Sequence, residues 1–301
     1  MHHIDLTTLT LAEGGHQAPG SPGNLAGEVC LLEAVAWWVE EKHTDRPECV
    51  SPYLGAFGRS LNDRLPGDAR QRLVPFITRL PGTAGDGKDE IRQLIAADWV
   101  YRSALPEWLN LAGMTEQATT LRALDRIDTA AKLAQARELV YPIRRDARQL
   151  RTDRYEQVKA AVKAELLKRP AVDVAAAVAA VDVAVAVAAA AADVAADVAA
   201  DVDAVAVAVA AAVDVGDVVA VAAAVAVVAA VAAVAAAVDV ADVDAANYGK
   251  GWNAAYDAVK KVLRPVVEER LGPLRDRQLD QAIELFDHLV VGEWPSELVP
   301  A

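Results

Sequence analysis

Residues 190–201 read Ala-Ala-Ala-Asp-Val-Ala-Ala-Asp-Val-Ala-Ala-Asp, and the fold class turns on whether this is helix or strand. Ala is the best helix former, and each Val costs only about 0.5 kcal/mol relative to it. Asp193, Asp197 and Asp201 recur every four residues, which lines them along one helix face. The stretch belongs to a tract, 171–246, of 38 Ala, 26 Val, 11 Asp and one Gly. Strand has an argument too, because Val is β-branched and residues 204–209 alternate Ala-Val-Ala-Val-Ala-Val. A sheet needs turns, however, and the tract has one glycine, Gly216, and neither proline nor asparagine. Helix is the expectation, with Asp facing water and Ala in close packing. A single unbroken helix would exceed about 100 Å at ~1.5 Å per residue. Breaks are therefore expected near Asp201-Val202-Asp203 or between Asp214 and Asp217, giving antiparallel hairpins.

A membrane reading competes within the same tract. Residues 218–238 are 21 consecutive uncharged residues, enough to span a bilayer as helix. They hold 12 Ala and no Leu, Ile or Phe, so the driving force for insertion is small. No Lys, Arg, Trp or Tyr borders the segment closely. Membrane association through 218–238 stands as an alternative.

The tract also governs the bulk properties. Of the net charge of −13 it supplies −11, leaving the remainder of the chain near −2. Excess negative charge in one stretch disfavours binding to nucleic-acid phosphate, and no nucleic-acid partner is expected. The 54% hydrophobic content is likewise inflated by Ala and Val, while all aromatic residues lie outside 171–246. The first residues show no cationic region followed by an apolar run, so no secretory signal is read and a cytoplasmic location is expected.

Outside the tract the chain reads as short amphipathic helices. Residues 1–26, punctuated by Gly14, Gly15, Pro19, Gly20, Pro22 and Gly23, form an irregular lead-in. A first helix is expected over 28–42. Ser51-Pro52 supplies an N-cap and a proline at the first helical position, and Leu54, Phe57, Leu61 and Leu65 share a face up to Pro66-Gly67. A helix over 68–80 is interrupted by Pro75, and another begins near Lys88. Further helices follow over 107–112, 116–124 and 129–140, with Pro142 as a boundary before a charged helix over 144–167. Beyond 247, Pro265 bends or restarts a helix, and Leu279, Ile283, Phe286 and Val290 form a stripe. The whole is expected to be all-α: a helical N-terminal module over 27–150, the charged helix and helical tract over 151–246, and closing helices over 247–301.

Candidate chemistry concentrates near the first helix. Cys30, Glu33 and Trp37 fall on one face, and a turn after Lys42 returns His43, Asp45 and Cys49 towards it. Cys30, His43 and Cys49 with a carboxylate would suit tetrahedral zinc, although no paired C-x-x-C knuckle sets the geometry. A Cys30–Cys49 disulfide and two buried thiols are the other readings. Glu33 in an apolar run invites a raised pKa and acid–base work, or else an ion pair with a residue such as Arg59. His43 suits the negative end of a helix, and His16 beside two glycines is a further loop ligand candidate. The run Gly82 to Lys88 has a superficial phosphate-loop look, but Asp89 follows Lys88 and no strand precedes it. Trp37, Trp38, Trp99 and Trp108 sit at helical positions and are expected in the core.

The segments 30–38, 45–63, Ala97-Asp98-Trp99 and Pro106-Glu107-Trp108-Leu109 resemble a group of uncharacterised Ala-rich helical proteins of actinobacteria and their phages. The resemblance covers about 1–150 and the last 50 residues. It implies a compact helical module, an Ala-rich helical region and a short closing helix such as 281–290. Some similar proteins are associated with immunity to bacterial toxins, so the resemblance implies a protein partner and carries over no catalytic residue. The leading expectation is a non-enzymatic, soluble helical interaction protein, with no cofactor; the alternatives are the Cys30/His43/Cys49 metal module and the membrane-associated helix.

Overall fold

The computed structural model describes residues 6–21, 23–24, 27–166 and 248–295, and these are all-α. Among them there is no strand; Leu11 and Val29 form one isolated parallel bridge. The expected hairpins of 171–246 and the segment 218–238 lie outside the described residues. No helix among the described residues is long and apolar enough to cross a membrane.

Helix α1 (Leu31–Trp38) is shorter than expected at both ends. Cys30 is extended and acts as the cap, and Glu33 reaches back to its N–H at 2.8 Å. Past Val39 the chain leaves the helix through Glu40, whose φ of 61° is left-handed. Helix α2 (Pro52–Arg64) begins as its sequence indicates: Ser51 Oγ accepts from the Leu54 N–H, and Pro52 needs no donor partner at the first position. Its far end is closed by the buried Arg70, which donates to the carbonyls of Asn62 and Leu65 at 2.6 and 2.9 Å. Arg70 ends the one-turn α3 (Gly67–Arg70), and a 3₁₀ segment carries Pro75 through Gln71–Thr78.

Helix α4 (Asp89–Trp99), a π turn (Val100–Ala104) and α5 (Leu105–Leu111) run as one continuous element. Leu105 donates to the carbonyl of Val100, five residues back, just before Pro106, which has no N–H to give. Helix α6 is Thr115–Arg122, α7 is Ala130–Leu166 and α8 is Tyr248–Val291. Pro142, expected as a helix boundary, lies inside α7, and Pro265, expected to bend or restart a helix, lies inside α8 together with Pro273. All three are solvent-exposed, where water satisfies the carbonyl that proline leaves without a donor.

The C-terminal part of α8 is a core element. Phe286 stacks on Phe57 of α2 with centroids 5.4 Å apart and lies 4.6 Å from Phe76. Gly58 permits this approach, since a Cβ there would stand 3.2 Å from Leu31, Leu32 and Phe286. Arg72 and Arg79 pair with Asp280 and Asp287 along the rim of the same contact. Buried Trp108 donates to Gln278 at 2.7 Å, and Gln278 in turn donates to the Ala104 carbonyl at the π turn. Trp99 and Trp108 are core residues as expected, whereas Trp38 remains partly exposed. On α7, Leu133, Ala136, Val140, Ile143 and Ala147 form the buried stripe.

Candidate functional site

The candidate residues near α1 assemble around one carboxylate. Glu33 is 2% exposed, a position that penalises negative charge unless hydrogen bonds replace water. Four groups do so. Oε2 accepts from the Cys30 N–H at 2.8 Å and lies 3.0 Å from His16 Nδ1. Oε1 accepts from the His16 N–H at 2.6 Å and stands 3.6 Å from His43 Nε2. A carboxylate only accepts, so His16 Nδ1 carries its proton. His43 Nε2 also lies 2.8 Å from the His16 carbonyl, which places a proton there by the same reasoning.

Burial pushes the Glu33 carboxyl up, but the N–H groups of Cys30 and His16 and the His16 ring outweigh it, and the pKa is lowered. The expectation of a raised, acid-like Glu33 is thus corrected. So is the ion pair with Arg59, which instead reaches Asp45, with Nη1 donating to the Asp45 carbonyl at 2.8 Å. His43, expected at a helix end, bridges to the lead-in instead.

The cysteines occupy different surroundings. The Cys30 sulfur faces Glu33, and burial first of all pushes the thiol up to about 12. Cys49 is half-buried; its N–H donates to Glu41 Oε1 at 3.1 Å, and burial, then the Glu41 carboxylate, raises its thiol to about 11. Its carbonyl accepts from the N–H groups of Gly82 and Ala84. Both cysteines are free thiols. Cys30 and His43 therefore share Glu33 as neighbour, while Cys49 is engaged by Glu41. Among the described residues no group of three or more His, Cys, Asp or Glu side chains is disposed to hold a metal ion.

Chemically, the cluster joins three segments: the lead-in through His16, the start of α1 through Cys30, and the loop after α1 through His43. The lead-in is bound further along as well. Gln71 brackets both backbone groups of Leu11, Asn62 donates to the Ala12 carbonyl, and Asp63 accepts from the Gly14 N–H. His16 was legible only as a loop residue beside glycines. The Cys30-x-x-Glu33 spacing, a capping-box pattern with a thiol in the hydroxyl's place, was the signal that Glu33 serves the helix start.

The second group the sequence reading missed is Arg92, fully buried within α4. It donates to the α8 carbonyls of Leu289 and Val290 and to the carboxylates of Asp86 and Asp89. Gly82 to Lys88, the loop of superficial phosphate-binding look, thus presents Asp86 to Arg92. Comparison with protein-family models, with curated proteins and with solved structures gave no match.

Proposed function

We propose that this chain is a non-enzymatic helical protein that acts by binding a protein partner, in the manner of a toxin-neutralising protein. The observation that carries the reading is the outward face of α7. Turned away from the stripe of buried Val140, Ile143 and Ala147, Tyr141 stands 75% exposed among charged residues. A large ring held in water on a rigid helix is the kind of side chain that anchors protein interfaces, where Tyr and Arg are enriched. The groups with the most reactive potential, by contrast, serve the fold: Glu33 is saturated by donors, and both thiols are held protonated.

The test is reconstitution. A partner recovered on the tagged full chain from its native host is purified and titrated against the wild-type chain and Tyr141→Ala. Stoichiometric binding weakened at least tenfold by the substitution supports the reading. Failure of every recovered protein to rebind, or equal binding by Tyr141→Ala, overturns it.

A further inference from the structure

The lead-in is fastened to the helices by two kinds of contact, and the change from one to the other falls next to Gly14. Leu11 and Ala12 are held by amide groups, which do not titrate. Gln71 brackets the backbone of Leu11, Asn62 donates to the Ala12 carbonyl, and the Ala12 N–H reaches the Val29 carbonyl at 2.9 Å. Residues 13–16 are held instead through ionisable side chains. Glu13 pairs with Arg70, and Asp63 accepts from the Gly14 N–H at 2.9 Å. Glu33 takes both the N–H and the ring of His16, and His43 donates to the His16 carbonyl. We propose that residues 13–16 form an acid-released clasp: when Glu33 takes up a proton they leave the start of α1, while Leu11 and Ala12 stay bound and the helices stay folded. This device is independent of what the chain binds.

Glu33 is the strongest of these anchors. Glu13 is 69% exposed, and an ion pair in water contributes little. The Asp63 bond is exposed as well. Glu33 is buried, where bonds to an ionised acceptor are strong and are not exchanged for water. The titratable groups that face it are the His16 ring from the lead-in, the Cys30 thiol from the start of α1 and the His43 ring from the loop after α1. From the neighbouring elements, α2 sends Asp63 to Gly14 and Arg59 to Asp45, and α3 sends Arg70 to Glu13.

Protonation changes two things at once. A neutral carboxyl must place its own O–H among groups that only donate, and so it loses bonds without replacing them. The two imidazoles, cationic in acid, lose the counter-charge between them. Burial raises the Glu33 carboxyl, and the Cys30 and His16 donors bring it below its usual 4.5. The clasp is therefore closed above that value and opens as pH falls through the folded one. Gly14, at a φ of 83°, and Gly15 give the chain a point about which to swing.

Hydrogen–deuterium exchange of the full chain tests this, with rates corrected for the intrinsic effect of pH. Between about pH 6 and about pH 3, protection of the Gly14 and His16 amides should fall at least tenfold, with Ala12 and the interior of α2 holding theirs. Glu33→Gln should leave His16 unprotected already at pH 6. His16→Ala keeps the Glu33 bond to the Cys30 N–H and removes one donor, so Gly14 should be released at a higher pH than in the wild type. Protection that survives at pH 3, or that is lost in step with α2, would overturn the proposal. So would a protected His16 amide in Glu33→Gln, or an unshifted release of Gly14 in His16→Ala.

Discussion

Arg92 donates from Nε to the carbonyl of Leu289 at 2.9 Å, joining α4 to the end of a helix 197 residues further along the chain. The last carbonyls of a helix have no intrahelical donor. A fully buried guanidinium supplies it here, with Asp86 and Asp89 balancing the charge. Lys88 adds a bond to the Val291 carbonyl at 2.8 Å. The C-terminal end of α8 is thereby fastened into the N-terminal helices.

Arg92→Leu is expected to lower the unfolding free energy by about 3 kcal/mol, the cost of removing one partner from a buried charge network. Arg92→Lys should recover only part of this, because an ammonium cannot reach two carbonyls and two carboxylates in one plane. Urea denaturation followed by circular dichroism measures both. A midpoint unchanged by Arg92→Leu would show that α8 is held by its apolar face alone.

Glu33→Gln should destabilise the protein by about 2 kcal/mol at pH 7, because an amide presents a donor where the pocket supplies only donors. The pH dependence has a definite sign. A carboxyl with a lowered folded pKa contributes stability that is present above its ordinary value of 4.5 and is lost as pH falls through the folded value. The gap between wild type and Glu33→Gln should therefore narrow below about pH 4.5. Melting both proteins from pH 7 to pH 3 tests this; a constant gap would mean that Glu33 carries no linked charge.

Thiol modification should discriminate the two cysteines. With thiols raised to about 12 for Cys30 and about 11 for Cys49, little thiolate is present at pH 8. Cys49, half-buried, should react ahead of the buried Cys30, and both at least tenfold slower than in the urea-unfolded chain. Time-resolved mass spectrometry of the alkylated protein reads the order. Faster labelling of Cys30 would contradict its burial under the α1 cap.

Trp108→Phe removes the indole donor from Gln278 Oε1 while keeping most of the apolar area. A buried acceptor left without its donor costs about 1–3 kcal/mol. Gln278→Leu in the same background should restore part of that loss if the pair is the cause. A double-mutant cycle by urea titration gives the coupling, and near-zero coupling would reject it.

All-α was legible in the sequence because the apolar spacing of short segments is local information. Ser51-Pro52 announced the start of α2, and the stripe of Leu279, Ile283, Phe286 and Val290 announced a buried face of α8. Helix length was not legible, because the cost of an interior proline is lessened where its freed carbonyl meets water, as at the exposed Pro142, Pro265 and Pro273, and exposure is a property of packing. The Glu33 site was half legible. Glu33 and its neighbours Cys30 and His43 are singled out by the sequence, but neither of its two readings, a raised pKa or an ion pair with a residue such as Arg59, matches the lowered pKa and the His16 partner.

What the sequence by itself determined, then, is the helical class, the cap that starts α2, and the faces that seek burial, since each depends on residues a few positions apart. What only the tertiary structure decided is which groups meet across the chain: Glu33 with His16 and His43, Trp108 with Gln278, Arg92 with Leu289. Those contacts join residues 10 to 197 positions apart. No local pattern encodes them, because a buried charge takes its partner from whichever segments the apolar packing brings beside it.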